Sequence, residues 1–272
     1  RWLPTPARRR ARFAAATLRR LAEDILAACR DDPAREAPLV HALIAATDPA
    51  TGVALSDEEI RDELIVFMLA GHDTTSTMLS YAFWALGHHL DVQDKVRAEV
   101  ADIGDRELTP ADLPRLGYTV QVLQEALRLC PPAPALGRTA MRDIDVDGYR
   151  VRAGTLVVAG IYAVHRDPAL WDNPLVFDPD RFSPQNCAGR DRWQYLPFGG
   201  GPRSCIGDHF AMLEAALALA TIIRRIEIRS NDSDFPMTTP FTLVAAAPIY
   251  ARVCTHKSRS ADDQARLGSR AL

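Results

Sequence analysis

At 272 residues, with 47% hydrophobic and 25% charged residues, the chain is long enough to bury a large core as one domain and needs no disulfide staples. A formal net charge of -3 argues against a nucleic-acid partner, which is held by an excess of Lys and Arg over one face. No uninterrupted apolar stretch approaches the ~20 residues that cross a bilayer. Cys29, Cys130, Cys187, Cys205 and Cys254 are odd in number and show no paired spacing, which fits a reducing, cytoplasmic setting better than a secreted one.

In chain order, the opening is rich in arginine (Arg1, Arg8, Arg9, Arg10, Arg12, Arg19, Arg20), with no acid before Glu23. Transit peptides and membrane-surface helices share that pattern, but the reading adopted is a solvated helix face. Met is absent at position 1 and the first residues already lead into a helix, so the chain is expected to start downstream of its gene's start. Ser56 and Glu59 form a capping-box signature, and apolar residues at helical spacing, without proline, predict a helix from Asp57 to about His89. At 1.5 Å per residue it would be about 45–50 Å long and run through the body of the protein. A second helix is predicted from Asp91 to about Ile103. A third, entered near Thr109-Pro110 and resumed around Leu116, should end at Leu129, stopped by Pro131-Pro132.

The texture then changes. The alternation from Asp145 to Val151 around an Asp-Gly turn, with the β-branched run Thr155 to Tyr162, predicts a small antiparallel sheet. Residues 168–202, rich in Pro, Gly, Asp and Asn, form a long irregular stretch of the kind more often functional than accidental. Asp208 to about Ile226 reads as an apolar helix and Phe241 to Val253 as a closing pair of strands. Residues 254–272 are polar and expected to be disordered. The fold class is mainly α with small β-sheets.

The densest chemistry lies in Phe198-Gly199-Gly200-Gly201-Pro202-Arg203-Ser204-Cys205-Ile206-Gly207, a glycine-rich loop delivering one cysteine to the start of a helix. Unpaired helix N–H groups and the helix dipole favour a thiolate there, and a thiolate binds metals. The glycines let backbone approach a flat ligand, and Arg203 can neutralise a carboxylate on it. A plain turn around a buried cysteine is the bland alternative; a phosphate loop is excluded by the missing Gly-Lys-Ser/Thr pattern. Elsewhere, Glu125 and Arg128 stand three apart on a helix, where an exposed pair contributes only ~0.2–0.5 kcal/mol. Thr74, inside the long helix, has the bland reading of a hydroxyl bonded back to its own helix.

The loop resembles the haem loop of the cytochrome P-450 family, Phe-x-x-Gly-x-x-x-Cys-x-Gly, met by Phe198, Gly201, Cys205 and Gly207. Three more stretches are similar to family motifs and follow the family's order: Ala70-Gly71-His72-Asp73-Thr74-Thr75, Glu125-Ala126-Leu127-Arg128 and Asp178-Pro179-Asp180-Arg181-Phe182. The resemblance implies haem b with Cys205 as iron ligand, Phe198 and Gly207 framing the haem, and Arg203 and Arg138 on its propionates. It implies a buried triad of Glu125, Arg128 and Arg181 supporting the haem site, and proton handling by Asp73 and Thr74 toward dioxygen. The implied activity is insertion of one oxygen atom from O2 into a small hydrophobic substrate, in a pocket lined by residues 133–137, 67–70 and 246–248.

No Gly-x-Gly-x-x-Gly helix start is present, so NAD(P)H-derived electrons would arrive through a separate ferredoxin or reductase, docking near Cys205. The resemblance runs to about Val253, and complete family members are longer on the N-terminal side. Residues 1–253 are therefore expected to be the C-terminal portion of a single haem-thiolate domain, its N-terminal part missing. A haem-thiolate isomerase or dehydratase, a haem-binding electron carrier or sensor, an inactive truncated fragment and a cysteine hydrolase at Cys205 stay open as alternatives. His165 and His209 are given no role.

Overall fold

The computed structural model describes residues 5–255, and these divide into two compact units on either side of the His72–Asp73 junction. In the first, helix α1 (Pro6–Asp31) starts at Thr5, whose hydroxyl accepts the Arg8 amide, with Pro6 in the opening turn. Proline is suited there because its missing N–H would have no helical partner. Helix α2 (Pro38–Ala45) follows. The third helix, α3 (Asp57–His88), has the predicted capping box: Ser56 N donates to Glu59 Oε2 at 2.8 Å and Glu59 N to Ser56 Oγ at 3.3 Å. A small core forms from Ala22, Leu26, Cys29, Val40, Ile60 and Leu64. Arg9, Arg10, Arg12, Arg19 and Arg20 are exposed on α1.

The second unit contains α4 (Leu90–Ala101), α5 (Gly117–Leu129), short helices α6 (Ile161–Val164) and α7 (Pro184–Cys187), and α8 (Asp208–Arg225). A 3-10 turn at Pro110–Arg115 leads into α5. Buried Met78 and Leu86 of α3, Val96 of α4, Leu123 of α5 and Leu219 and Ile223 of α8 share one core. Each large apolar side chain buried there contributes about 1.5–3 kcal/mol.

Among the described residues, eight short strands form four two-stranded antiparallel sheets: β1 (Leu136–Thr139), β2 (Ile144–Val146), β3 (Tyr149–Val151), β4 (Leu156–Ala159), β5 (Ile226–Ser230), β6 (Met237–Thr238), β7 (Val244–Ala245) and β8 (Ala251–Thr255). The β2–β3 hairpin turns on Asp147 (φ 50°) and Gly148 (φ 80°), the left-handed pair that an Asp-Gly turn supplies. Three expectations shift. The predicted single sheet is two, because β4 pairs with β1 rather than with the hairpin. The closing strands do not pair with each other: β8 pairs with β5, directly after α8, and β7 with β6. Strand β8 also carries Cys254 and Thr255, beyond the expected boundary at 253; residues 256–272 of the expected tail lie outside the described residues.

Two devices fix β5 against the helices. Buried Gln93 donates to Leu86 O at 3.0 Å and Ile228 O at 2.9 Å and accepts Ile228 N at 2.9 Å. At Gly87 a Cβ would stand 2.2 Å from Ser230 Oγ, so only glycine allows that approach.

Candidate functional site

The predicted charge pair on α5 is not at the surface. Glu125 and Arg128 are both fully buried, joined by Arg128 Nε to Oε2 at 2.7 Å and Nη2 to Oε1 at 2.8 Å. The other guanidinium protons reach main-chain oxygens: Nη1 donates to His165 O and Pro174 O, both at 2.7 Å, and Nη2 to Val176 O at 3.2 Å. All five donors of the fork are thereby used. Glu125 Oε1 also accepts Asp178 N at 2.9 Å, and Arg181 Nε approaches it at 3.4 Å. Arg181 Nη2 donates to Asn173 O at 2.9 Å. Burial pushes the Glu125 carboxyl up, and its bond to Arg128 opposes that. An i,i+3 ion pair on a helix thus becomes the stitch between α5 and the irregular stretch, and the surface-pair reading fails on burial.

An aromatic layer continues it. The Arg190 guanidinium lies 4.8 Å from the Trp171 ring centre and 4.9 Å from that of Phe182, and its Nη2 donates to Arg181 O at 2.6 Å. Tyr195 Oη donates to Gln124 O at 2.9 Å. His165, buried and stacked on Tyr195 with ring centres 5.3 Å apart, accepts Leu196 N on Nε2 at 2.9 Å. Sequence reasoning missed His165, Trp171, Arg190 and Tyr195. Each looks ordinary in isolation: His165 and Tyr195 act through Leu196 and Gln124, 31 and 71 residues away, and Trp171 and Arg190 through ring contacts.

From Leu196 the chain enters the cysteine loop. Gly199 N donates to Leu196 O at 3.1 Å, Ser204 N to Gly201 O at 3.0 Å, and Cys205 N to Phe198 O at 2.9 Å. Gly199 (φ 73°) and Gly201 (φ 74°) are left-handed, conformations glycine adopts without a Cβ clash. A Cβ on Gly199 would meet Leu136 Cδ1 at 3.3 Å, which puts β1 against the loop, and one on Gly200 would meet the Trp193 ring at 2.9 Å. Phe198 packs on the core.

Of the five cysteines, Cys205 alone is exposed. Burial pushes the Cys130 thiol up to about 12, which keeps that one protonated. Cys205 stands just before Gly207, the residue that opens α8. Around it Ile206 is 83% and Phe210 69% exposed. Arg203 and Arg138 are exposed; Arg138 bonds the carbonyl of its neighbour Gly137 at 2.8 Å, and among the described residues neither arginine forms an ion pair. An open thiol with apolar surface and two exposed guanidiniums outside any ion pair fits a flat, apolar ligand bearing carboxylates, as haem is.

Asp73 is exposed and Thr74 half-buried, side by side on α3, with Ser76 Oγ donating to Asp73 O at 2.9 Å. A cavity of 520 Å³ opens elsewhere, lined by Trp171, Asp178, Arg181, Arg190, Gln194 and others. Its walls include neither the cysteine loop nor the segments 133–137, 67–70 and 246–248 expected to line a substrate pocket. No described helix is long and apolar enough to cross a membrane.

A mainly helical protein with an exposed thiol on a glycine loop, braced by a buried ion pair, defines the class. The cytochrome P450 family model matches residues 1–254, and the chain belongs to that family. It is 42% identical over 249 residues to a cyclooctatin synthase of Streptomyces melanosporofaciens, covering 91% of this chain and 54% of that protein. It is 38% identical over 228 residues to the cyclooctat-9-en-7-ol 5-monooxygenase of the same organism, covering 84% and 50%. A retinoic acid-bound cyanobacterial CYP120A1 structure matches with a TM-score of 0.85 at 31% identity, covering 93% of this chain and 59% of that one. The chain spans about half the length of these curated relatives.

Proposed function

We propose that the chain contributes the haem-thiolate region of a monooxygenase that inserts one atom of O2 into a small hydrophobic substrate. The observation that carries this reading is Cys205, exposed on a backbone-defined loop and preceded by a segment tied to the Glu125–Arg128 pair. Haem, when bound, supplies the oxygen-activating redox chemistry. Cys205 would hold its iron, and Arg138 and Arg203 its propionates through charge-assisted hydrogen bonds. Phe198 and Gly207 frame the thiolate. Glu125, Arg128 and Arg181 hold the loop's approach rigid, so the sulfur needs no reorganisation to bind.

Asp73 and Thr74 would handle protons, the hydroxyl donating one and the adjacent carboxylate replenishing it. Electrons derived from NAD(P)H would come from a separate ferredoxin or reductase. The relative named as a monooxygenase supports this over an isomerase or dehydratase, and so does the Asp73-Thr74 pair. Within this reading the stretch up to residue 253 is part of one haem-thiolate domain.

The test is Thr74→Ala. Haem content should be unchanged while electron consumption per product rises several-fold; unchanged coupling would remove the relay, and product formation without O2 would favour the isomerase reading.

A further inference from the structure

His165 is fully buried, yet it belongs to none of the motifs above. Its imidazole Nε2 is the acceptor for Leu196 N–H at 2.9 Å, so the ring is neutral and carries its proton on Nδ1. Nδ1 lies against the backbone of Arg128 and Leu127 without a hydrogen bond of good geometry. Burial, then the nearby Arg128 charge, lowers its proton affinity to a pKa of about 4, which keeps the acceptor lone pair available at neutral pH. The same residue's carbonyl accepts Arg128 Nη1 at 2.7 Å.

These contacts form a sequence of bonds. Arg128 holds His165 by its carbonyl, His165 holds Leu196 by its ring, Leu196 O accepts Gly199 N, and Phe198 O accepts Cys205 N. Leu196 is the residue on which the glycine turn opens, and its amide has no strand or helix to bond. We propose that His165 is a positioning residue of the cysteine loop: its ring nitrogen sets where Leu196 sits and thereby transmits the rigidity of the Glu125–Arg128 pair to Cys205. The geometry of the clamp stands by itself; its bearing on iron ligation rests on the function proposed above. A phenylalanine would keep the stacking on Tyr195 and lose the acceptor, whereas glutamine reaches the Nε2 position and keeps an acceptor there.

The test is backbone amide exchange on the full chain, with no haem added. In His165→Phe the Leu196 amide should exchange about tenfold faster, the factor that corresponds to one ordinary buried hydrogen bond. The Asp178 amide, held by Glu125, should keep its wild-type rate. His165→Gln should restore protection at Leu196. Equal Leu196 exchange in wild type and His165→Phe would overturn the clamp, as would an equal acceleration at Asp178, which signals general loosening. If His165→Phe does not fold, His165→Leu, apolar and similar in bulk, is judged by the same two amides. With haem reconstituted and carbon monoxide bound, the share of the red-shifted thiolate band should fall in His165→Phe and return in His165→Gln. Normal exchange with an altered band would reject the clamp, while altered exchange with no shifted band even in wild type would reject the thiolate reading and leave the clamp intact.

Discussion

Around Glu125 and Arg128 every guanidinium proton and the carboxylate are engaged inside the chain; around Cys205 the thiol, Ile206, Phe210 and Arg203 face outward. The first region is built by side chains meeting the main chain, the second by main-chain bonds entered through the single side-chain bond from His165 to Leu196. Substitutions in the first should therefore register as stability, and in the second as binding.

The largest effect is expected from Arg128→Ala. It leaves Glu125 buried without its fork and strands the carbonyls of residues 165, 174 and 176, at a cost of about 3–5 kcal/mol. Against a total of about 5–15 kcal/mol, that should remove much of the unfolding transition in urea, followed by circular dichroism. A change below about 1 kcal/mol would mean the pair is decorative.

Acid should act on the same region more gently. His165 has its pKa lowered from 6.5 to about 4, by burial first. Between those values it is neutral in the fold and charged in the unfolded chain, so its contribution is complete above pH 6.5 and is lost as pH falls toward 4. At about 1.4 kcal/mol per pH unit the loss approaches about 3 kcal/mol. Glu125, raised by burial, works in the opposite sense and removes part of it. The urea midpoint should fall more steeply from about pH 7 to about pH 4.5 in wild type than in His165→Asn; parallel slopes would show that His165 does not titrate across folding.

Cys205→Ser should have the smallest effect on stability, within about 0.5 kcal/mol, since the thiol contacts little. A large loss would place Cys205 in the core of the fold instead of at its surface.

Most helices were legible because their signals are local: Ser56 with Glu59 opens α3, and Pro131-Pro132 stops the run that forms α5. The β2–β3 turn was legible from Asp147-Gly148 for the same reason. Strands β1 and β5 were not, because Leu136–Thr139 finds its partner at residues 156–159 and Ile226–Ser230 at residues 251–255, and a short apolar run does not name its partner. At the site, the glycines around Cys205 signalled a loop directly. The burial of Glu125 and Arg128 was not legible from spacing, which is the same on a solvated face; only the resemblance of the Glu125–Arg128 motif implied it. His165 was invisible because its meaning lies in the Leu196 amide, a group every residue except proline carries.

The most direct test of the central claim is the ferrous carbon-monoxide difference spectrum of the haem-reconstituted chain beside Cys205→Ser. The expected result is a Soret band shifted far to the red in wild type, the mark of a thiolate opposite carbon monoxide, and its absence in the variant. A haem-bound wild type without the shifted band, or a band that survives in Cys205→Ser, would contradict it.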